Sequence, residues 1–280
     1  MSVQAQIQAQ APLAVEAAPV LLSERKGSIA ILTLNRPDAR NSLSQAMLDA
    51  LGQACSAIAA DRSVHAVVLT ANGPVFSAGH DLKELNSRRQ DSDHGRGFFE
   101  RVLALCACVM QQIVRLPQPV IAAVQGTATA AGCQLVASCD LAVASSTARF
   151  ATPGVNIGLF CSTPMVALSR NVARKHAMEM LLIGEPVSAN DALRMGLVNH
   201  VVEPGDERAK ALELARKIAA KSAHVVGIGK EAFYQQIEIG LAQAYDRAVA
   251  VMVENMMACD AEEGISAFIG KRPPTWRDSL

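Results

Sequence analysis

The chain has 280 residues with 26 basic and 26 acidic side chains, so its formal net charge at neutral pH is zero. This balance argues against nucleic acid and against an anionic membrane as the main partner, because both attract a basic protein. Half of the residues are hydrophobic and only 4% are aromatic, which excludes a wholly disordered chain and predicts a core of aliphatic side chains.

Alternating strands and helices are predicted between residues 20 and 205, which is typical of an α/β fold. The preceding stretch, 1–19, is rich in Gln and Ala and is interpreted as a disordered tail. The predicted elements are a β-hairpin at 20–34, a helix at 44–60, a strand at 66–70, a helix from 81, a helix at 99–116, a strand at 120–124, a helix at 131–138 and a strand at 140–144. The polar segment 86–97 is expected to be a mobile surface lid.

The pattern changes near residue 205, where helices alone follow. Before this point, Thr163 and Pro164 are typical of a helix N-cap followed by proline at the first helical position. Beyond it, Asp206 opens a long amphipathic helix, and the helical pattern continues to about Phe268. We therefore divide the chain into three parts: a tail at 1–19, an α/β core at 20–205 and a helical oligomerisation region at 206–280. The helices of the last part are expected to form an oligomer interface, because they carry more apolar surface than a small appendage can bury alone: Leu212, Ile218, Phe233, Ile237, Val249, Met252 and Met256.

Cysteine and histidine spacing supports neither a disulfide framework nor a metal site. The seven cysteines are an odd number without a Cys-x-x-Cys pair, and the six histidines lie far apart. Free thiols are typical of a reducing compartment, and the first 24 residues lack the Lys or Arg that a signal or transit peptide needs. No run approaches the roughly 18 apolar residues of a membrane span. We expect a cytoplasmic protein that binds no metal and no membrane.

Two segments place small residues between a predicted strand and a predicted helix start. They are residues 76–85, Phe-Ser-Ala-Gly-His-Asp-Leu-Lys-Glu-Leu, and residues 124–134, Val-Gln-Gly-Thr-Ala-Thr-Ala-Ala-Gly-Cys-Gln. Small residues let backbone N–H groups at a helix start approach a ligand closely. Two such turns side by side could hold one carbonyl oxygen in an oxyanion hole, which suits enolate chemistry on a thioester. The alternative is that both are ordinary tight turns.

Together with two further segments, these turns resemble the enoyl-CoA hydratase/isomerase (crotonase) superfamily. The further segments are residues 34–43, Leu-Asn-Arg-Pro-Asp-Ala-Arg-Asn-Ser-Leu, and residues 192–198, Ala-Leu-Arg-Met-Gly-Leu-Val. The resemblance extends from about residue 20 to the C-terminus. It implies a crotonase-like (ClpP/crotonase) spiral of ββα units with C-terminal helices that build a homotrimer or a dimer of trimers. It also implies an acyl-CoA thioester as ligand, with coenzyme A as part of the substrate and no permanently bound cofactor.

The resemblance further implies which residues form the site. The oxyanion donors would be the backbone N–H groups of His80 and Ala131, and the His80 side chain is expected to face the ligand channel or solvent rather than act as a base. The residues expected to contact CoA are Ala78, Gly79, Asp81, Leu82, Phe268 and Lys271, the last two in some members on a neighbouring subunit. An ordinary solvated terminal lysine explains Lys271 equally well.

The sequence departs from the family at the two glutamates that activate water in the hydratases. Aligned by motif, these positions hold Gln134 and Gly154. A glutamine can hydrogen-bond a water but cannot accept its proton at neutral pH, and a glycine has no side chain. One general acid or base contributes typically about 10²–10⁴-fold in rate. Efficient hydration by the usual mechanism is therefore not expected.

A third position offers other reactive groups near the expected acyl group. In some relatives a carboxylate lies about eight residues past the second glutamate, and here that position is Ser162, between Cys161 and Thr163. A thiol of lowered pKa could attack an acyl carbon. The simpler interpretation gives Thr163 a helix-capping role and Cys161 a packing role. A serine-protease site is discarded, because the turn at 126–134 contains no serine.

Two hypotheses for function remain open. The first is an enzyme, a lyase or isomerase that acts on acyl-CoA through a thioester enolate. The second is a catalytically weakened protein that binds acyl-CoA. The two small-residue turns favour the enzyme, whereas Gln134 and Gly154 favour the binding protein.

Overall fold

Strands and helices alternate along the chain, as the sequence predicts, until the C-terminal helices begin. The computed structural model describes residues 18–277, so nearly all of the predicted tail at 1–19 lies outside the described residues. The strands are β1 (Leu21–Lys26), β2 (Ile29–Leu34), β3 (Ala66–Ala71), β4 (Val75–Ser77), β5 (Val120–Val124), β6 (Thr127–Thr129), β7 (Leu141–Ser145), β8 (Arg149–Ala151), β9 (Val187–Ser188) and β10 (His200–Val202). The α-helices are α1 (Gln45–Ala60), α2 (Leu82–Ser87), α3 (Arg96–Arg115), α4 (Ala131–Ser138), α5 (Pro164–Asn171), α6 (Arg174–Ile183), α7 (Ala189–Met195), α8 (Glu207–Ala219), α9 (Ala223–Gln236), α10 (Leu241–Met256) and α11 (Cys259–Ile269).

The larger of two sheets has six strands in the order β1-β2-β3-β5-β7-β10. Only β1 is antiparallel to its neighbour; the other strands run parallel, with Ile29 opposite Ala66 and Val67 opposite Val120. The strands β2 and β5 are buried along their whole length, which explains their continuous apolar sequences. Parallel neighbours require crossover connections, and these connections contain helices and the strands of the smaller sheet.

The smaller sheet has the order β4-β6-β8-β9 and lies at the ends of those crossovers. After each of β3, β5 and β7 in the larger sheet, the chain adds one strand to the smaller sheet: β4, β6 and β8, respectively. The first two of these short strands lead into α2 and α4. The expected repetition of ββα units is thus confirmed, and it brings successive strand-to-helix turns to the same side of the molecule.

The helix α8 packs against the larger sheet. Its residues Ala211, Leu212 and Ala215 are buried in a cluster with side chains of β2, β3, β5 and β7. The prediction that Leu212 contributes to an oligomer surface is wrong, because α8 covers the sheet face and buries this side chain inside the protomer. The proposed boundary between residues 205 and 206 remains a prediction.

A buried ion pair attaches α9 to the core. The Lys230 ammonium lies 2.7 Å from the Asp140 carboxylate and donates to the carbonyl oxygens of Ile113 and Gln118. The Tyr234 hydroxyl donates to the second oxygen of Asp140 at 3.0 Å. Burial lowers the pKa of Lys230, although the Asp140 charge opposes this shift. The pair therefore fixes the orientation of α9 relative to the sheet.

The polar segment 86–97 is more regular than the predicted lid. Its first part completes α2 and then forms a single 3₁₀ turn at Arg88–Gln90. The Asp93 carboxylate accepts hydrogen bonds from the backbone N–H groups of Gly95 and Gly97, and the Arg88 guanidinium lies over the Phe98 ring. These contacts fold the segment onto the start of α3.

By length and composition alone, α3 could cross a membrane, and it is the one such helix in the described part of the chain. The sequence was expected to hold no stretch of this kind. Six of its residues are buried in the core: Phe98, Val102, Cys106, Val109, Met110 and Ile113. Its apolar composition is therefore explained by packing within the domain, largely against α1.

Candidate functional site

The first turn of the site connects β4 to α2. Gly79 has a φ of 84°, a left-handed conformation that favours glycine. Its carbonyl oxygen accepts a hydrogen bond from the Leu43 N–H at 2.8 Å, and the Ala78 N–H donates to the Arg40 carbonyl at 3.0 Å. These bonds hold the turn against residues 40–43 and leave the following N–H, that of His80, unused.

Residues 40–43 are themselves held by Asn41, which the sequence analysis did not identify. Its side-chain amide donates to the carbonyl oxygens of Asn72 and Val75, both at 2.8 Å, and its oxygen accepts from the Arg36 N–H. Asn41 is fully buried and has a φ of 50°. Asn41 lies in the segment 34–43 that carries the family resemblance, but the sequence gives no partner for its amide.

The second turn connects β6 to α4. Ala130 precedes the helix with φ 50° and ψ −120°, a strained conformation for a residue with a Cβ atom, and its N–H donates to the Ala151 carbonyl at 2.9 Å. At Gly132, an added Cβ atom would lie only 2.3 Å from the Ser77 carbonyl oxygen. Glycine at this position therefore allows the start of α4 to approach β4 closely.

The two turns lie side by side. A Cβ atom added to Gly79 would lie 2.9 Å from the Ala130 Cβ and 3.2 Å from the Ala131 nitrogen. Within the described residues, neither the His80 N–H nor the Ala131 N–H donates a hydrogen bond to the protein. Two free backbone donors on adjacent turns, one of them at the start of a buried helix, can together bind one carbonyl oxygen or anion.

The His80 side chain is half-buried, and both of its ring nitrogens are inaccessible to solvent. Neither nitrogen has a well-formed hydrogen bond, although the Leu43 backbone acts on the ring and opposes part of the pKa shift caused by burial. Burial lowers the pKa of His80 below its ordinary value, so the ring is neutral at pH 7. The expectation that the ring faces a ligand channel or solvent stays a prediction.

Asp81 supports the first turn instead of pointing a free charge at a ligand. One carboxylate oxygen accepts from the N–H groups of Lys83 and Glu84 as the N-cap of α2, and the other lies 3.2 Å from both the Arg36 guanidinium and the Ser42 hydroxyl. Although burial acts in the opposite direction, these hydrogen bonds lower the pKa of Asp81. Asp81 thus holds the first turn in place, and its expected contact with CoA stays a prediction.

The other residues expected to contact CoA occupy different surroundings. Ala78 is half-buried in the first turn, and Leu82 is 53% exposed beside it. Phe268 is 86% exposed at the end of α11, and Lys271 follows it with a φ of 51°. Neither Phe268 nor Lys271 hydrogen-bonds to the two turns in the described part of the chain, so the CoA contacts of this group stay predictions.

The positions of the two missing glutamates are both buried. Gln134 lies on α4 with 5% of its surface exposed, and its Oε1 has no hydrogen-bond partner among the described residues. At Gly154, an added Cβ atom would lie 2.9 Å from the Cys161 Sγ and 2.9 Å from the Leu159 carbonyl oxygen. The space that a side chain would need at residue 154 is therefore occupied by the loop 157–163.

The thiol of this loop and the thiol of Cys133 on α4 are not activated. Burial raises the pKa of Cys161, and burial raises the pKa of Cys133 to about 12. Ser162 is exposed, and its hydroxyl donates to the Phe160 carbonyl. Thr163 occupies the N-cap position of α5 with Pro164 next to it, as predicted, but its side chain makes no capping hydrogen bond. The thiols are thus neutral at pH 7, which argues against a covalent role.

A metal centre has no support in the described residues, since no group of three or more His, Cys, Asp or Glu side chains there could hold an ion. Thr152, which directly follows β8, is not among the predicted site residues; its hydroxyl is buried and has no partner in the same part of the chain. Nothing in the sequence distinguishes Thr152 from the other threonines.

Comparison with known proteins gives one consistent result. The family model for enoyl-CoA hydratase/isomerase matches residues 24–279. The rat enoyl-CoA hydratase domain-containing protein 3, mitochondrial, is 48% identical over 266 residues, which cover 95% of this chain and 87% of the rat protein. The crystal structure of an enoyl-CoA hydratase from Mycobacterium smegmatis has a TM-score of 0.88 and 54% identity and covers 92% of this chain and 99% of that one. The crystal structure of human enoyl-CoA hydratase domain-containing protein 3 has a TM-score of 0.87 and 46% identity, with coverage of 92% and 100%.

Proposed function

The chain belongs to the enoyl-CoA hydratase/isomerase family, and from this premise we propose that it binds acyl-CoA thioesters with the thioester oxygen between the N–H groups of His80 and Ala131. The observation that carries the proposal is the contact of the two turns, with Gly79 beside the Ala131 nitrogen and both N–H groups unused within the described residues. Coenzyme A would enter as part of the ligand, without a permanently bound cofactor.

Two fixed donors would polarise the thioester and stabilise an enolate. As negative charge develops on the thioester oxygen, each N–H strengthens its hydrogen bond without reorganising. Loss of one donor of this kind costs about 10²–10³ in rate in enzymes that use it. The backbone bonds of Gly79 to Leu43 and of Ala78 to Arg40 keep the first donor in place.

Water activation is the step that this chain does not support. The amide of Gln134 cannot take a proton, and the space beside Gly154 is filled by the Cys161 thiol and a carbonyl oxygen. We therefore propose an acyl-CoA enzyme of the lyase or isomerase type whose hydration activity is weak. The same observation favours the second candidate, an acyl-CoA-binding protein that has lost catalysis.

Binding measured separately from turnover tests the proposal and separates the two candidates. The affinity of the purified protein for a panel of acyl-CoA thioesters is measured by isothermal titration calorimetry, and turnover of the same panel is followed by mass spectrometry. Binding with turnover supports the enzyme, and binding without turnover supports the second candidate. Absence of binding to every thioester would overturn the proposal as a whole.

We also propose a homotrimer or a dimer of trimers. The apolar side chains that α9 and α10 leave exposed include Phe233, Leu241, Tyr245, Val249, Met252, Val253 and Met256. Seven large apolar side chains exposed on two adjacent helices are more than a monomer ordinarily presents to water. A stable monomer at micromolar concentration in analytical ultracentrifugation would contradict this. If the protein is oligomeric, Val249→Glu with Met252→Glu should lower the oligomer's mass.

Two arguments about the cellular compartment of the protein disagree. The cytoplasm was expected from the free cysteines, whereas the names of the rat and human relatives assign those proteins to mitochondria. Cell fractionation with a C-terminal tag distinguishes the two compartments. Recovery in the mitochondrial matrix would show that the expectation of a cytoplasmic protein is wrong.

A further inference from the structure

The strand β1 forms a free edge of the larger sheet. It pairs only with β2, and five of its six residues are exposed. The Asn35 N–H donates to the Val20 carbonyl at 2.7 Å, and every second residue of an antiparallel pair bonds to its neighbour. The backbone groups of Leu21, Ser23 and Arg25 therefore point away from β2, and they have no backbone partner in the described part of the chain. Such an edge accepts a further strand.

A groove of about 580 Å³ lies between this edge and α1. The same three residues of β1 contribute to its lining, because alternate side chains of a strand lie on one face. Across the groove, α1 presents small side chains at Ala50, Ala54 and Ala57. These small side chains leave room beside β1 for the apolar side chains of an added strand.

The two charged side chains of β1 that line the groove are already paired. The Glu24 carboxylate contacts the Arg208 guanidinium on α8, and the Arg25 guanidinium lies 2.5 Å from the Asp61 carboxylate. Charged residues on an edge strand ordinarily keep other strands away. Since both charges are held by partners within the chain, the groove favours an uncharged strand.

An uncharged segment with the sequence pattern of a strand precedes β1 in this chain. Residues 3–11, Val-Gln-Ala-Gln-Ile-Gln-Ala-Gln-Ala, alternate strictly between apolar residues and glutamine and lie outside the described residues. Strict alternation over this length is typical of a strand with one buried face. Residues 12–20 connect the segment to β1, and nine residues are enough for a chain to reverse its direction. The Asn35 amide donates to the Pro19 carbonyl at 2.9 Å, so the connection leaves from the sheet edge itself.

We propose that residues 3–11 add to the free edge of β1 as an antiparallel strand, with their apolar side chains in the groove. The register pairs odd-numbered residues with odd-numbered residues, from Ala11 opposite Leu21 to Ile7 opposite Arg25. In this register the outward backbone groups of β1 gain partners, and the glutamines lie on the opposite face. Addition of a strand to an exposed sheet edge is a recurring way to bind an extended segment. The proposal replaces the expectation of a disordered tail at 1–19.

Hydrogen–deuterium exchange followed by mass spectrometry on the full chain tests the proposal directly. The amides of residues 4–11 should exchange at least about tenfold more slowly than those of the same sequence in an unstructured peptide. In a chain that lacks residues 2–11, the outward amides of β1 should exchange at least about tenfold faster than in the full chain. A synthetic peptide of residues 2–11, added to this shortened chain, should restore the slow exchange of β1.

Two proline variants test the register. Ala9→Pro removes an N–H that bonds to β1 in the proposed register, and it should abolish the slow exchange of residues 4–11. Gln8→Pro is the matched control, because the N–H that it removes faces solvent, where an edge strand tolerates proline. This control should keep the slow exchange of the other amides in the segment.

Exchange of residues 4–11 in the wild type at the rate of an unstructured peptide would overturn the proposal. Equal effects of the two proline variants would also overturn it. Slow exchange that is lost on tenfold dilution, while the mass of the protein in solution stays constant, would show that the groove binds a segment of another molecule, and this result would likewise overturn it. The wild-type measurement requires no variant to fold, and it is independent of acyl-CoA binding.

Discussion

The substitution Gly79→Ala tests whether the first turn supplies an oxyanion donor. At a φ of 84° an alanine is strained, and a left-handed conformation costs about 1–2 kcal/mol for a residue with a Cβ atom. The new methyl group would also lie 2.9 Å from the Ala130 Cβ and 3.0 Å from the Thr129 carbonyl. Overpacking of this kind costs about 1–3 kcal/mol.

The expected loss in the free energy of unfolding is therefore about 2–5 kcal/mol, the sum of the conformational and packing costs. The methyl group pushes the two turns apart, because it contacts residues on the second turn. Since binding of a thioester oxygen requires both N–H groups at once, we expect the affinity for acyl-CoA to fall by at least about 10²-fold.

Gly27→Ala is the matched control for this experiment. Gly27 has a φ of 61°, but an added Cβ atom there would meet no atom within 4 Å. This variant should lose only the conformational cost of about 1–2 kcal/mol and should bind acyl-CoA like the wild type. Urea denaturation gives the stabilities, and calorimetry on the folded proteins gives the affinities. Equal acyl-CoA affinity in the two variants would refute the assignment of the first turn to the site.

Three further predictions concern hydration, pH and the core. The double variant Gln134→Glu with Gly154→Glu should hydrate crotonyl-CoA faster than either single variant, as measured by loss of enoyl absorbance. The gain should stay small unless the loop 157–163 moves, because Cys161 occupies the space that a side chain at residue 154 needs. Because the pKa of His80 is depressed in the folded state, the contribution of its neutral ring to the free energy of unfolding is complete above the unfolded-state pKa of about 6.5 and is lost as the pH falls through the lower folded-state pKa. His80→Phe should therefore reduce the loss of stability toward acid pH in denaturation curves at pH 5–8. An unchanged dependence of stability on pH would contradict this prediction. Lys230→Met should lower the free energy of unfolding by about 3–5 kcal/mol, because it leaves the Asp140 carboxylate without its cation. Adding Asp140→Asn to this variant should recover part of the loss, as measured by urea denaturation. No recovery in the double variant would argue against the ion pair as the cause.

Packing, and not backbone conformation, is what opposes a glutamate side chain at residue 154. A glycine where the family has a glutamate invites the explanation of an unusual backbone angle. Gly154 is not among the residues with positive φ, so the backbone there would accept a side chain. The obstacle is the Cys161 thiol and the Leu159 carbonyl, which belong to the loop that follows. The loop and the glycine therefore have to be changed together.

The local chemistry of the chain was readable from its sequence. Short apolar runs predicted the strands, because a strand buried on both faces needs continuous aliphatic residues, whereas the parallel pairing of these strands is seen only in the structure. The small residues around Gly79 and Gly132 predicted two tight strand-to-helix turns, because only small side chains allow a backbone to approach that closely. The motifs around these turns were specific enough to identify the family and to show that Gln134 and Gly154 depart from it.

What the tertiary structure decided is how groups far apart in sequence share one space. The proximity of Gly79 to Ala131, the capture of the Asp81 charge by Arg36 and the occupation of the space at Gly154 by Cys161 all depend on packing between separate segments. The same is true of the unpartnered oxygens of Gln134 and Thr152, since burial and the lack of a partner are properties of the surroundings. Sequence spacing fixes which backbone groups a turn leaves free, but only three-dimensional packing determines which neighbours then satisfy, block or isolate them.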